Sequence, residues 1–237
     1  MDTKDVAINI VLHRNQQLIH ENGSREKWVK AGKRFGKTKW ALFEVIQKAF
    51  AWPRPGIYWY VAPSYRQAEG IAWSELDWMI PEELIEKSLE TKLRKVLMGG
   101  RVLQLIGADN PDALRGPGIN GYVVDEAAFV PEYAKPILSG QTLNSPNRFE
   151  YYISSPNPKG KNWFSRAWLK SENEMKKGDK DVSAFFYTIY DNPTIPKDEI
   201  EKLKNNTPEY IWNLEYMAQE SAYSGQMYDE FSRETNV

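Results

Sequence analysis

The sequence predicts an α/β fold: a mostly parallel sheet with helices on both faces, plus a small helical subdomain. Three observations carry that expectation. Short β-branched and aromatic runs alternate with stretches of helical periodicity up to about residue 190. A Gly/Lys/Arg loop stands between one such strand and one such helix. After Asp191-Asn192-Pro193 the texture changes to two short helical patterns with no further strand. The division read from this is 1–190 for the core, 191–222 for the helical subdomain and 223–237 for a linker.

The elements follow in order. Residues 12–19 lead through a turn with Gly23 and Ser24 to a short strand over 27–31. Residues 38–50 place Trp40, Ala41, Phe43, Val45, Ile46, Ala49 and Phe50 on one broad helical face, and Pro53 and Pro55 stop it. Residues 57–62, IYWYVA, read as a buried strand. Residues 64–80 read as a helix with Ala68, Ile71, Ala72, Leu76 and Met79 inward. Residues 94–98 and 102–106 flank Gly99-Gly100-Arg101 as a β-hairpin. Strands over 122–124, 150–154 and 183–190 follow, with a helix over 161–177 between the last two. Two short helices, 197–204 and 208–219, close the pattern.

Composition bounds the chemistry. The 237 residues suit one large domain, or one domain with an appendage. Thirty-one Lys and Arg against 32 Asp and Glu argue against a whole-surface nucleic-acid binder and leave room for a local basic stripe. With no cysteine and only His13 and His20, disulfides, zinc ribbons and thiol nucleophiles are excluded. Any metal is expected to be a hard cation on oxygen ligands. The apolar runs fall far short of a membrane span, and residues 1–10 lack a signal-peptide layout, so the chain reads as cytosolic.

The loop Ala31-Gly32-Lys33-Arg34-Phe35-Gly36-Lys37-Thr38 is close to G-x-x-x-x-G-K-[ST], with Ala31 in the first glycine's place. Gly36 permits the tight turn, and successive N–H groups at the helix start point at an anion. Lys37 is expected on the β/γ oxygens of ATP and the Thr38 hydroxyl on Mg²⁺. Tyr122-Val123-Val124 ends in Asp125-Glu126. Ligands of such sheets lie at the carboxyl ends of the strands. Asp125 is therefore expected to hold Mg²⁺ and Glu126 to act as the general base on the attacking water. Arg115, in a Gly/Pro-rich loop, reads either as a solvated loop residue or as a cation for charge developing on the phosphoryl oxygens, supplied in trans by a neighbour. Ser154-Ser155-Pro156-Asn157 reads either as an ordinary turn or as a γ-phosphate sensor. Gln16 has an amide suited to the adenine edge, which alone carries little weight.

Together these motifs resemble the ATPase domain of the large terminase subunit of tailed bacteriophages, over nearly the whole chain. The matches are L-H-x-x-Q at 12–16, the deviant Walker A at 31–38, V-A-P-S-Y-R-Q-A at 61–68, L-R-G at 114–116, V-V-D-E-A-A at 123–128, S-S-P-N at 154–157 and D-N-P at 191–193. The resemblance implies an additional-strand, RecA/helicase-like P-loop NTPase fold with a lid. It implies adenine recognition by Gln16, with Gln17 the neighbouring alternative, and phosphate and Mg²⁺ binding through Lys37 and Thr38. It further implies Walker B and catalytic roles for Asp125 and Glu126, a trans arginine at Arg115, and coupling through Ser154 and Asn157. Two departures stand out. Many members carry Arg where this chain has Lys33, and a lysine lacks the bidentate fork, which leaves Arg34 and Arg115 as finger candidates. The Ser224-to-Phe231 stretch resembles the lead-in to a nuclease domain, so Asp229 and Glu230 read as linker residues and no nuclease activity is expected.

The implied partners are double-stranded DNA, a portal protein, a small terminase subunit and further copies of the chain in a ring, with no membrane. The implied place of action is the host cytoplasm, at the procapsid portal vertex. Lys159, Lys161, Arg166 and Lys170 are possible DNA contacts, with a solvated helix face the favoured reading. The rival readings are a helicase-like nucleic-acid ATPase and an ATP-gated assembly module with negligible turnover alone.

Overall fold

The computed structural model describes residues 8 and 10–220. The expectations for 221–222, for the linker at 223–237 with Asp229 and Glu230, and for most of 1–10 lie outside the described residues. Eight strands form one sheet: β1 (Glu26–Ala31), β2 (Ile57–Ala62), β3 (Ile85–Leu89), β4 (Arg94–Leu97), β5 (Arg101–Gly107), β6 (Gly121–Val124), β7 (Phe149–Ser154) and β8 (Val182–Tyr187), in the order β3-β4-β5-β2-β6-β7-β1-β8. The six strands from β5 to β8 pair in parallel, and β4 and β3 extend that edge antiparallel. β7 lies between β1 and β6. The strand carrying the glycine loop and the strand carrying the acidic pair are thus separated by one strand, and the end of that strand faces both.

Alternation along the strands builds two apolar layers. In β1, Trp28 faces one layer and Val29 the other. The first layer buries Trp40, Ala41, Val45, Ile46 and Ala49 of α2 (Lys37–Ala51) with Ile19 of α1 (Arg14–Glu21). The helical pattern expected over 64–80 joins this layer through Ala68, Ala72 and Leu76. It is not one regular helix. α3 (Tyr65–Gln67) and α4 (Ser74–Met79) are linked by a π-helical segment, Ala68–Trp73. The second layer packs α5 (Ala134–Thr142) and α6 (Trp163–Lys176) around stacked Trp28 and Tyr152, whose ring centres are 4.1 Å apart.

Past β8, a single 3₁₀ turn (Ile189–Asp191) leads to α7 (Lys197–Asn205) and α8 (Glu209–Ile211), which runs into a π-helical turn, Trp212–Tyr216. Ile189, Ile200 and Trp212 form a small apolar cluster of their own. This unit is fastened to the backbone of the glycine loop by two hydrogen bonds. Lys33 N donates to the Glu215 carbonyl at 2.6 Å, and Asn192 Nδ2 donates to the Arg34 carbonyl at 2.6 Å. A Cβ on Gly32 would lie 2.0 Å from the Tyr216 carbonyl oxygen, so only glycine permits this approach.

Candidate active site

The carboxyl ends of β1, β6 and β7 converge beside the start of α2. Gly36 takes a left-handed conformation, φ 98°, and its carbonyl accepts from Trp40 N to open the helix. Phe35 is fully buried and stacks on Tyr187 with ring centres 4.6 Å apart. Its side chain anchors the loop to β8, which leaves only its backbone for a ligand. Lys37 Nζ bridges the loop and the neighbouring strand: it donates to the carbonyls of Ala31 (3.0 Å) and Gly32 (3.2 Å) and to Ser155 Oγ (3.0 Å). Lys33 and Arg34 are exposed, and Lys33 forms an ion pair of 3.0 Å with Glu215. Arg34 has φ 69°, a strained value for a non-glycine residue.

Asp125 is buried and its carboxylate accepts three hydrogen bonds. Oδ2 accepts from Thr38 Oγ1 at 2.7 Å and from Tyr60 OH at 2.6 Å, and Oδ1 accepts from Glu126 N at 2.8 Å. Burial, reinforced by Asp125, raises the Tyr60 phenol well above its ordinary pKa, so it remains a donor. Glu126 has φ 49° and ψ 46°, and this left-handed turn follows directly on the strand end. Glu126 Oε2 accepts from Ser154 Oγ (3.2 Å) and Ser155 N (3.3 Å). Burial raises the Glu126 pKa above its ordinary value and Asp125 adds to the rise, while the Lys37 charge and both serine hydrogen bonds oppose it.

A cleft of about 450 Å³ opens over this set, lined by Gly36, Lys37, Thr38, Glu126, Asn192 and Thr194 among others. A second pocket of about 230 Å³ shares Gly36, Lys39, Asn192 and Thr194 with it and adds His13, Gln16, Phe35 and Trp78. Gln16 lies in this pocket rather than in the cleft, and its side chain is engaged: Nε2 donates to the Gly36 carbonyl at 3.0 Å and Oε1 accepts from His13 N at 3.1 Å. Gln17 is exposed.

Two expected residues stand apart. Asn157 Nδ2 donates to the Ala128 carbonyl at 2.9 Å, holding the turn after the acidic pair, and lines neither pocket. Arg115 is exposed, with no side-chain hydrogen bond or ion pair among the described residues, and lines neither pocket. Conversely, Tyr60 and Thr194 line or brace the site although sequence reasoning does not single them out, and Ser155 and Asn192 do so from within the S-S-P-N and D-N-P matches. Ser155 is visible within S-S-P-N, and its place between Lys37 and Glu126 follows from the insertion of β7 between β1 and β6.

The residues present suit Mg²⁺. The Thr38 hydroxyl donates its proton to Asp125, which leaves its lone pairs for a hard cation. Among the described residues no group of three or more His, Cys, Asp or Glu side chains could hold a metal.

Fold and site define an α/β protein with a mostly parallel sheet, in which one strand lies between the strand before the glycine loop and the strand before the acidic pair. The chain belongs to the family described as terminase large subunit, T4likevirus-type, N-terminal, whose model matches residues 29–235. It is 27% identical over 176 residues to the terminase large subunit of Escherichia phage T5, covering 73% of this chain and 39% of that protein. It therefore spans well under half the length of that relative. Its fold is that of the large terminase ATPase domain of Thermus phage P74-26, with a TM-score of 0.70 at 22% identity, covering 88% of this chain and 94% of that one. The large terminase of another thermophilic bacteriophage superposes with a TM-score of 0.77 at 15% identity, covering 95% and 57% of the two chains. That second protein has also been solved in complex with ADP and with ATP-gamma-S.

Proposed function

We propose that this chain is an ATPase motor domain of a phage large terminase, hydrolysing ATP to drive double-stranded DNA into a procapsid. The observation that carries the reading is the convergence of Lys37, Thr38 and Glu126 on one cleft at the strand ends, with buried Asp125 hydrogen-bonded to Thr38 beside it. The triphosphate lies along the 31–38 loop, where N–H groups and the α2 N-terminus favour anions. Lys37 exchanges its carbonyl contacts for the β/γ oxygens. Thr38 and Asp125 would hold Mg²⁺, which would supply charge neutralisation and a template for the phosphates. Glu126, its basicity increased by burial, orients the attacking water and takes its proton. Ser154 and Ser155 touch Glu126, and Ser155 also touches Lys37, so the end of β7 couples base and phosphate positions. The adenine occupies the adjoining pocket beside Gln16.

The helical unit after residue 191 serves as a lid, since Asn192 and Thr194 wall the cleft. Arg115 acts in trans from a neighbouring subunit of a ring at the portal vertex in the host cytoplasm, with portal protein and small terminase subunit as further partners. The test is steady-state phosphate release with and without Mg²⁺ and double-stranded DNA. Saturable, Mg²⁺-dependent turnover that DNA and portal increase supports the proposal. ATP binding without turnover in every assembly state contradicts the motor reading and favours an ATP-gated assembly module.

A further inference from the structure

We infer that the chain carries a second anion site, built for a phosphate group, at the end of the sheet opposite the glycine loop. Arg25, Lys48, Arg148 and Tyr151 line one cavity of about 450 Å³ there. Arg25 and Arg148 immediately precede β1 and β7, and Lys48 lies in the last turn of α2. Lys37 begins the same helix, so the two sites are separated by about 16 Å along its axis at 1.5 Å per residue.

Two of the cavity's three cations, Lys48 and Arg148, have no matching anion among the described residues. All three are half-buried, and no carboxylate lines the space. Arg148 makes no side-chain hydrogen bond or ion pair among the described residues. Lys48 makes none either; its Nζ sits 5.9 Å from the centre of the Tyr151 ring and 6.0 Å from that of Phe149. A cation in the last turn of a helix is favoured by the dipole, which accounts for Lys48 alone and not for the two arginines. Arg25 meets Glu150 at 3.2 Å, but Glu150 also accepts from Tyr122, Ser139 and Thr142. Nearby Glu44 meets His20 at 2.6 Å through Oε1, while its Oε2 is buried without a hydrogen-bond partner; Glu44 does not line the cavity.

A second observation points the same way. Tyr151 is fully buried, and its hydroxyl has no hydrogen-bond partner. Burial, with Glu44 adding to it, raises the phenol's pKa, so it presents a proton donor and not an anion. An unpaired buried donor is costly, and an incoming acceptor would relieve that cost. A phosphate brings several acceptor oxygens and matches the planar fork of arginine. The group can come from free phosphate or from a nucleic-acid backbone.

The experiment is residue-resolved NMR of the arginine side chains in the full chain, titrated with inorganic phosphate, with the glycine loop empty or filled by a non-hydrolysable ATP analogue. Saturable shifts at Arg148 and Arg25 in both states are expected. Lys48→Gln and Arg148→Gln should each weaken phosphate binding about tenfold, comparable to one charge-assisted hydrogen bond. Tyr151→Phe should weaken it less. Arg148→Gln alters a half-exposed turn residue, so it keeps the test decisive if Lys48→Gln fails to fold, and its ATP turnover should match wild type. A short DNA duplex that displaces phosphate identifies the backbone as the source; a duplex that leaves phosphate bound identifies the free ion. No saturable shift, a shift abolished by filling the loop, or unchanged affinity in Arg148→Gln would overturn the site.

Discussion

The strand-end cluster and the 111–118 loop are both expected to handle phosphate charge, yet they are built in opposite ways. Asp125 is fixed by three donors and Glu126 by two, and Lys37 is held against the end of β7. Arg115 is exposed, in a loop secured mainly by Leu114 in the second apolar layer. Fixed donors and acceptors at a reacting centre reduce the reorganisation needed in the transition state. An exposed arginine does not provide that until something docks on it. The difference bears on the proposed division of labour, in which binding, metal and base belong to one chain and the last charge comes from another.

The largest expected effect breaks the fixed half. Lys37→Ala removes the cation that links loop and β7, and both ATP binding and hydrolysis should be lost, as read by nucleotide titration and phosphate release. Near wild-type turnover would remove Lys37 from the site.

Arg115→Ala addresses the exposed half. Nucleotide affinity of the isolated chain should stay intact, while turnover in the assembled ring should fall ~10³–10⁵-fold, the contribution of trans arginines in other phosphoryl-transfer systems. Mixing Arg115→Ala with Glu126→Gln subunits should restore part of the activity, because some intact Glu126 sites then face an intact arginine. No recovery in verified mixed rings would count against trans action and direct attention to Arg34.

A smaller effect sharpens the comparison. Tyr60→Phe deletes one donor to Asp125 without changing the packing of β2. The Mg²⁺ concentration for half-maximal activity should shift about tenfold, comparable to one hydrogen bond to a charged group. An unchanged Mg²⁺ requirement would make Tyr60 a packing residue only.

How much of this is legible in the sequence depends on which interactions are local. β2 is legible with its observed ends because IYWYVA is apolar throughout and bounded by Gly56 and Pro63. β3 escapes sequence reasoning because IEKSL has no apolar alternation; it is an edge strand held by backbone pairing to β4. α5 escapes it because Pro136 and Gly140 read as breakers, although a proline in the first turn sacrifices no helical hydrogen bond. The glycine loop and the acidic pair are legible as motifs at strand ends because each is short and local in sequence. Tyr60 is not, since a tyrosine in a buried strand reads as core until the pairing of β2 with β6 places its hydroxyl on Asp125. Asn192 and Thr194 reach the cleft only through the folding back of the chain after β8.

Glu126→Gln, assayed for ATP affinity and single-turnover hydrolysis across pH, tests the central division of roles most directly. The substitution keeps the size and most of the hydrogen bonding and removes the base. Because burial raises the Glu126 pKa, wild-type hydrolysis should fall on the acid side at a pH above the ordinary carboxylate range, and the variant should lose that limb. The stability effect has the opposite sign. A raised folded-state pKa favours folding below the unfolded carboxylate value, and that contribution is lost as pH rises through the raised value. The variant should therefore be no less stable than wild type at neutral pH. The predicted result is intact ATP affinity, unchanged or higher thermal stability and kcat lower by ~10²–10⁴. Turnover near wild type, or a loss of affinity equal to that of Lys37→Ala, would contradict the account.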